Sequence, residues 1–180
     1  MRIDAAALAK QWGIGCEEAG RRARYEIFEE CLQEMGGCRG AIAVAHHRDD
    51  CAETLLFHMF RGTGLDGMAG IRPVRKTERE SMIIRPLLET GKTEIEGFLQ
   101  EKGISWRIDS TNTGEDYTRN RIRNRVLPYA EKEICSGAGA HLAKEAQLLA
   151  ETADFVRSCT RQALERCRVE AGALKTNVCG

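Results

Sequence analysis

The chain has 180 residues, of which 42% are hydrophobic and 30% charged, so it is long enough for a buried core and has the composition of a globular protein. Its 27 basic and 27 acidic residues cancel, and overall charge therefore neither indicates nor excludes a nucleic-acid partner. No apolar stretch reaches the ~20 residues of a membrane-spanning helix, and the first residues lack the apolar core of a signal peptide. We expect a cytoplasmic protein with no membrane partner.

Hydrophobic periodicity and capping residues predict an alternation of helices and strands. In chain order, the predicted elements are helix 4–11, helix 17–35, strand 41–45, helix 49–61, strand 81–85, helix 92–102, strand 104–108, helix 117–126 and a bent or split helix 138–170. A glycine-rich loop over 61–70 could bring bare backbone close to a ligand, and Pro128 is expected to end the helix before it. The pattern indicates an α/β fold with a parallel sheet and a helical C-terminal region, although three strands are few for an independent sheet.

The eight cysteines contain no Cys-x-x-Cys pair. Structural zinc sites and redox motifs use such close pairs, so both are disfavoured. Cys31 and Cys51 lie on predicted apolar faces. We expect free, buried thiols.

The segment 46–54 follows the predicted strand 41–45 and leads into the next helix. At 100° per residue, the side chains of His46, Asp50 and Glu53 would fall within about 60° of one another on that helix. Open α/β sheets bind ligands at the carboxyl ends of their strands. The two carboxylates could therefore hold an ammonium group or Mg²⁺ while the imidazole orients them or a substrate. An ordinary polar helix start, where acids favour the helix dipole, is the alternative.

The same segment also contains Asp49-Asp50-x-x-Glu53, which is similar to the acidic boxes of all-helical prenyl-diphosphate enzymes. Such a fold requires a helix upstream, where this chain has the predicted strand 41–45. We therefore disfavour that interpretation.

Two arginine clusters follow different patterns. Four arginines occupy seven residues without an acid: Arg119, Arg121, Arg123 and Arg125. On a helix, Arg119 and Arg123 would share one face, and anions such as nucleic-acid phosphates would relieve the repulsion between the guanidinium groups. A solvated charged face is the alternative. Arg21, Arg22 and Arg24 form a smaller cluster of the kind that is usually surface.

Together these residues resemble the tRNA(Ile)-lysidine synthetase family of the PP-loop ATP pyrophosphatase superfamily. The most specific part is the His-His-x-x-Asp-x-x-Glu-Thr sequence at 46–54 combined with Arg-Asn-Arg-Ile-Arg at 119–123. The similar segments occur in family order and cover residues 4 to about 130: 17–25, 45–54, 61–68, 85–88, 109–112, 119–123 and 127–128.

The resemblance implies a fold, a division of the chain and a reaction. The fold would be a partial adenine-nucleotide alpha-hydrolase-like (Rossmann-like) sheet, with 1–130 as the C-terminal portion of the PP-loop catalytic domain and 131–180 as a helical linker or the start of a following domain. ATP would adenylylate the C2 carbonyl oxygen of the wobble cytidine in tRNA(Ile), and the ε-amine of free L-lysine would then displace AMP.

The resemblance also implies roles for individual residues. His46, Asp50 and Glu53 would line the active site, with the two carboxylates holding the lysine ammonium or Mg²⁺. Arg24 would stabilise negative charge that develops during the reaction. The block near the tRNA and nucleotide would comprise Arg119, Asn120, Arg121 and Arg123.

One feature of the family is not among these 180 residues: the Ser-Gly-Gly-x-Asp-Ser loop, which would supply backbone donors for pyrophosphate. We therefore expect an internal fragment or a truncated gene product with negligible ATP turnover on its own. Two alternatives stay open. One is a tRNA thiolation enzyme of the same superfamily, many of which carry Cys-x-x-Cys pairs, and the other is a stand-alone RNA-binding module built around the arginine helix and the C-terminal helix.

Overall fold

The structure is a computed structural model, and it describes residues 4–35, 40–77, 79–107 and 118–167. The chain divides into two compact units. Unit 1 comprises Met1–His46 and Pro73–Pro86, and unit 2 comprises His47–Arg72 and Leu87–Gly180. Both sides of residue 130, the domain boundary expected from the resemblance, fall within unit 2.

Unit 1 begins with two helices that local signals predicted. Helix α1 spans Ala5–Trp12, and the Asp4 carboxylate accepts hydrogen bonds from the backbone amides of the first turn. Gly13 ends this helix with a φ of 66°, a conformation that favours glycine. Helix α2 spans Cys16–Glu34 and follows at once. The predictions for these two helices are confirmed to within a few residues.

The described part of unit 1 also contains a small sheet. Its strands are β1 (Ala41–Ala43), β2 (Val74–Lys76) and β3 (Met82–Ile84), in the order β1-β3-β2. Strand β1 runs parallel to β3, as predicted, and β2 runs antiparallel to β3. Strand β2 was not predicted, because its exposed residues lack an apolar alternation and depend on pairing with β3. The sheet is therefore mixed rather than parallel.

Unit 2 is helical throughout its described elements. The helices are α3 (Arg48–Arg61), α4 (Leu65–Met68), α5 (Lys92–Glu101), α6 (Thr118–Arg121), α7 (Leu127–Tyr129) and α8 (Ala138–Cys167). Helix α8 is one continuous 30-residue element, so the expected split into two helices is wrong over that range. The strand predicted over 104–108 is also wrong where the structure describes it, since 104–107 are irregular and Ile104 is half exposed.

The helical segment that carries the four arginines, which we call the arginine segment, runs from Thr118 to Ile134. It therefore does not end at Pro128, contrary to the prediction. π-Helical turns over Ile122–Val126 and Ala130–Ile134 flank α7, which contains the proline. A proline lacks an N–H and its ring clashes with the carbonyl four residues earlier in a regular helix. In the first π turn the Leu127 amide donates to the Ile122 carbonyl, five residues back. The wider turn makes room for the ring, so the helical path continues.

The core of unit 2 joins α3, the arginine segment and α8. Ala52, Ile122 and Leu127 are buried together, with Leu56, Phe57 and Leu142 packed against them. A second cluster joins Ala69 to Ala150 and Ala153 of α8. Although α8 has sufficient length, the described helices include none that combines length with the apolar character needed to cross a membrane.

Close packing accounts for two residues of the glycine-rich segment 61–70. A Cβ on Gly70, whose φ is 62°, would lie 3.2 Å from the Cβ of Ala146 in α8. A Cβ on Gly67 would lie 1.9 Å from the Thr63 hydroxyl oxygen. These two glycines therefore serve packing within unit 2.

The cysteines that the structure describes are free thiols, as predicted. Their expected burial is right for Cys51 and wrong for the others, which are exposed: Cys16, Cys31, Cys135, Cys159 and Cys167. The expected burial of Cys31 is wrong because the predicted apolar stripe on α2 is only partly covered.

Candidate active site

Two acids at the start of α3 accept hydrogen bonds from backbone amides. The Asp50 carboxylate accepts a hydrogen bond of 2.9 Å from the amide of His47, the residue before the helix. The Asp49 carboxylate accepts one of 3.0 Å from the Lys92 amide at the start of α5. One oxygen of Asp50 thus has the role that the ordinary helix-start interpretation gives it, whereas Asp49 bonds the start of a different helix. The second oxygen of Asp50 has a different partner.

That partner is Arg123, whose guanidinium joins the two acids predicted to share a face. Its Nε and Nη2 donate to the Glu53 carboxylate at 2.5 and 2.8 Å, and Nη2 also donates to Asp50 Oδ1 at 3.1 Å. The Glu53 side chain is only 1% exposed, against 15% for Asp50. This two-pronged geometry is the arrangement in which arginine binds a carboxylate most strongly.

Arg119 contacts the same side of α3. Its Nη2 donates to the Thr54 hydroxyl, and its Nε lies 3.9 Å from Glu53 Oε2. Arg119 and Arg123 therefore share one face, as predicted, and both reach the acids of α3. We call Asp50, Glu53, Arg119 and Arg123 the acid–arginine cluster.

The cluster sets the charge of its members in opposite ways. Burial raises the pKa of the Glu53 carboxyl, and this effect outweighs the Arg123 hydrogen bond and charge, which lower it. For Arg123, burial lowers the pKa, but the hydrogen bond that it donates to Glu53 and the negative charges of Glu53, Asp50 and Asp49 prevail and raise it. Arg123 is thus a permanent cation, and Glu53 keeps its proton to a higher pH than an ordinary glutamate does.

The expected Mg²⁺ between Asp50 and Glu53 does not fit this geometry. The Arg123 guanidinium lies where such an ion would have to bind, and it bonds to oxygens of both acids. In the part of the chain that the structure describes, no three His, Cys, Asp or Glu side chains are grouped to hold a metal ion. The acids and Arg123 satisfy each other's charge without a metal.

His46 occupies a different position from the one its sequence spacing predicted. Helix α3 begins at Arg48, so the helical stripe does not extend to His46, and that part of the prediction is wrong. His46 belongs to unit 1, where its Nδ1 accepts a hydrogen bond of 2.9 Å from Arg85 Nε. Arg24, the other predicted site residue of unit 1, is exposed on α2.

The remaining members of the predicted arginine block are more accessible to solvent. Arg121 is exposed, and its Nη2 donates to the Thr118 hydroxyl at 3.3 Å. Asn120 is partly buried and Arg125 is exposed. Tyr117 and the segment 109–112, which also contributed to the resemblance, lie outside the described residues.

Sequence reasoning assigned no site role to two residues that complete these contacts. Thr54 bonds Arg119, and its only signal was its place at the end of the His-His-x-x-Asp-x-x-Glu-Thr sequence at 46–54. Arg85 bonds His46, and its signals were a charged residue between the apolar run 82–84 and Pro86 and its place in the similar segment 85–88.

A parallel strand pair within a small sheet, together with helices before and after it in the chain, places the chain among α/β proteins. A family model described as PP-loop domain matches residues 1–130, and the chain belongs to this family. The family has the adenine nucleotide alpha-hydrolase fold, which confirms the predicted fold class.

Relatives agree with the family match. The chain is 41% identical over 172 residues to the tRNA(Ile)-lysidine synthase of Caldanaerobacter subterraneus subsp. tengcongensis, covering 95% of the chain and 35% of the relative. It is 41% identical over 155 residues to that of Chlorobaculum tepidum, covering 86% and 45%. It is 36% identical over 165 residues to that of Bacillus subtilis, covering 92% and 34%. The chain therefore spans between a third and a half of the length of these relatives.

Proposed function

We propose that the chain is part of a tRNA-modifying ligase that joins free lysine to C2 of the wobble cytidine of tRNA(Ile) and converts ATP to AMP and pyrophosphate. One observation carries the proposal: two relatives named tRNA(Ile)-lysidine synthase match 95% and 96% of the chain, a span that includes the whole acid–arginine cluster. Because tRNA and ATP are cytoplasmic, the proposal also assigns the protein to the cytoplasm.

The reaction has two balanced steps. The C2 carbonyl oxygen of the cytidine attacks the α-phosphorus of ATP, and pyrophosphate leaves. The lysine ε-amine then attacks C2, the C2–O bond breaks with AMP as the leaving group, and the amine loses a proton. Negative charge on the phosphate and a cationic lysine are the groups that the protein has to bind.

Within the acid–arginine cluster, we assign different roles to the two acids. Glu53 is almost fully buried and both its oxygens bond Arg123, so its role is to hold that guanidinium in place. Asp50 is the more exposed acid, and we assign it to the ammonium group of lysine. The positive groups of Arg119 and Arg123 favour negative charge on nearby phosphate.

The proposal assigns no residue of this chain to Mg²⁺, which ATP would bring bound to its phosphates. The roles of His46 and Arg24 stay predictions from the resemblance. Arg121, exposed and held only loosely by Thr118, is the member of the arginine block that we assign to a tRNA phosphate.

The test uses the complete enzyme that contains this chain. Asp50→Asn keeps an acceptor for the His47 amide, so the protein is expected to fold while lysidine formation, measured by mass spectrometry of tRNA(Ile), is abolished. Asp66→Asn, which changes an exposed acid outside the cluster, is the matched control and is expected to retain activity. Wild-type lysidine formation in Asp50→Asn would end this assignment.

The 180 residues alone contain no Ser-Gly-Gly-x-Asp-Ser sequence, and we propose that they have negligible ATP turnover. AMP release above background that depends on both lysine and tRNA would refute this. If the complete protein binds tRNA(Ile) but releases no AMP with lysine, an RNA-binding role replaces the ligase.

A further inference from the structure

We propose that Arg85 is a positioning residue that holds His46 as the neutral tautomer with its proton on Nε2. His46 then offers a hydrogen-bond donor, and not a basic nitrogen, at the carboxyl end of the parallel strand pair. The inference uses the proposed function only in taking His46 as an active-site residue. The Arg85–His46 geometry itself lies wholly within unit 1.

The sheet brings the two residues together. Strands β1 and β3 are parallel, with Ala43 opposite Ile84, and the Val44 amide continues the pairing by donating to the Ile84 carbonyl at 2.9 Å. Arg85 directly follows β3, and His46 comes three residues after β1. Both side chains therefore start from the edge at which parallel sheets bind ligands.

The backbone of Arg85 is also fixed. Its amide donates to the Pro73 carbonyl at 2.9 Å, the contact that continues the pairing of β2 with β3 beyond Val74. The Arg85 backbone is thus held on the β2 side by its own amide, and the residue before it, Ile84, is held by β1. A residue held in this way can position a neighbouring side chain, because its own conformational freedom is already restricted.

The direction of the hydrogen bond determines the tautomer. Every nitrogen of a guanidinium is a donor and none accepts, so the 2.9 Å contact from Arg85 Nε requires a lone pair on His46 Nδ1. A neutral imidazole with its acceptor at Nδ1 carries its proton at Nε2. The doubly protonated ring would set two N–H groups against each other, so this contact also excludes the imidazolium.

The surroundings of Arg85 favour the neutral ring further. Arg85 is 9% exposed, and burial lowers the pKa of its guanidinium, as do the charges of Arg75 and Arg21, while Tyr25 raises it. The guanidinium still stays charged, because arginine titrates far above working pH. The charged Arg85 guanidinium beside the imidazole therefore disfavours a positive charge on His46.

A fixed Nε2–H has a defined chemical use. It can donate to an anionic or carbonyl oxygen, such as a phosphate oxygen or the carbonyl of a pyrimidine, and it cannot remove a proton. Arg85 therefore decides which of two roles an imidazole at this strand end can perform. Without the guanidinium, the ring would be free to exchange tautomers or bind a second proton.

The direct test is ¹⁵N NMR of the full chain labelled at its histidines, with the His46 signals assigned from their loss in His46→Gln. The expected result is an unprotonated Nδ1 and a protonated Nε2 at neutral pH. Arg85→Met keeps the apolar bulk but removes the donor, so the Nδ1 signal should move toward the protonated form. Arg75→Met removes a positive charge that acts on Arg85 but keeps the Arg85 donor, so it should leave the tautomer unchanged.

A wild-type His46 that is protonated at Nδ1, or at both nitrogens, overturns the inference. The wild-type spectrum decides this even if Arg85→Met does not fold. Arg85→Lys keeps the positive charge but not the planar donor, so its Nδ1 signal should lie between those of the wild type and Arg85→Met.

The complete enzyme separates this inference from the proposed function. A glutamine amide can place an N–H near the position of Nε2, whereas an asparagine amide reproduces Nδ1. His46→Asn should therefore lower kcat by about 10²-fold, the usual effect of losing one positioned donor, and His46→Gln by less. If the tautomer is as expected but both variants have wild-type kcat, the active-site role of His46 fails and the Arg85–His46 inference stands.

Discussion

Arg123 bonds both oxygens of Glu53 although 70 residues separate the two in the chain. The bond ties the arginine segment to α3, and the buried apolar contact between Ile122 and Ala52 lies directly beside it. A single arginine thus neutralises a buried acid and fixes its own guanidinium next to Asp50.

Loss of Arg123 should destabilise the protein. Arg123→Ala leaves the Glu53 carboxylate buried without its main partner, which costs about 3–5 kcal/mol for a fully buried pair. Because Arg123 is 30% exposed, we expect a smaller loss of about 2–3 kcal/mol in the free energy of unfolding, measured by urea denaturation. Arg121→Ala, which removes an exposed arginine of the same segment, should change it by less than ~0.5 kcal/mol. Equal effects of the two variants would contradict this role for Arg123.

Two glutamates should titrate in opposite directions from their usual pKa of 4.5. Burial raises the pKa of Glu53, whereas backbone amides of Gly139 and Gly137 donate to Glu131 and lower its pKa. Carboxyl ¹³C NMR over a pH series should show Glu53 titrating last of the two as pH rises. Overlapping titration curves would show that the Arg123 pair compensates fully for burial.

The same pKa shifts predict how stability depends on pH. The folded state keeps the Glu53 proton to higher pH than the unfolded chain does, so protonation of Glu53 stabilises the folded state. This contribution to the free energy of unfolding is fully present below pH 4.5 and is lost as pH rises through the folded pKa. For Glu131 the contribution is present above 4.5 and is lost as pH falls through its lowered pKa. In Glu53→Gln, which cannot titrate at this position, urea denaturation should show no loss of stability from Glu53 as pH rises.

The arginine segment should contribute unequally to tRNA binding. Arg121→Ala in the complete enzyme should lower the slope of log K against log salt by about 0.7–0.9, the effect of losing one phosphate contact. Arg123→Ala should leave that slope nearly unchanged, because the Arg123 charge is already paired with Glu53 and Asp50. If both variants reduce the slope equally, Arg123 must leave the acids when tRNA binds.

The core beside the cluster should be sensitive to truncation. Ile122 is 2% exposed and packs with Ala52 and Leu127, so Ile122→Ala should lower the free energy of unfolding by about 2–5 kcal/mol through lost burial and a cavity. Ile134→Ala, at a position that is 73% exposed in the same helical path, should change it by less than ~0.5 kcal/mol. Calorimetry or urea denaturation of the two variants compares them directly.

The sequence was sufficient to predict elements whose limits are set by their own residues, such as capping residues or short apolar runs. Asp4 and Gly13 delimit α1, and β1 and β3 lie within short apolar runs that predicted them as strands. Strand β2 was missed because its residues become a strand only by pairing with β3. The helical path through Pro128 was missed because a π turn, which local preference does not predict, accommodates the ring.

The amino-acid sequence by itself determined which chemical groups this protein has, the order of most of its helices and its resemblance to a family. Only the tertiary structure decided which groups are paired. The acids expected to hold a cation hold Arg123, and His46, expected on a helix with them, bonds Arg85 after a neighbouring strand. The physical reason is that periodicity describes one element at a time, whereas a hydrogen bond between residues 39 or 70 positions apart depends on how separate elements pack.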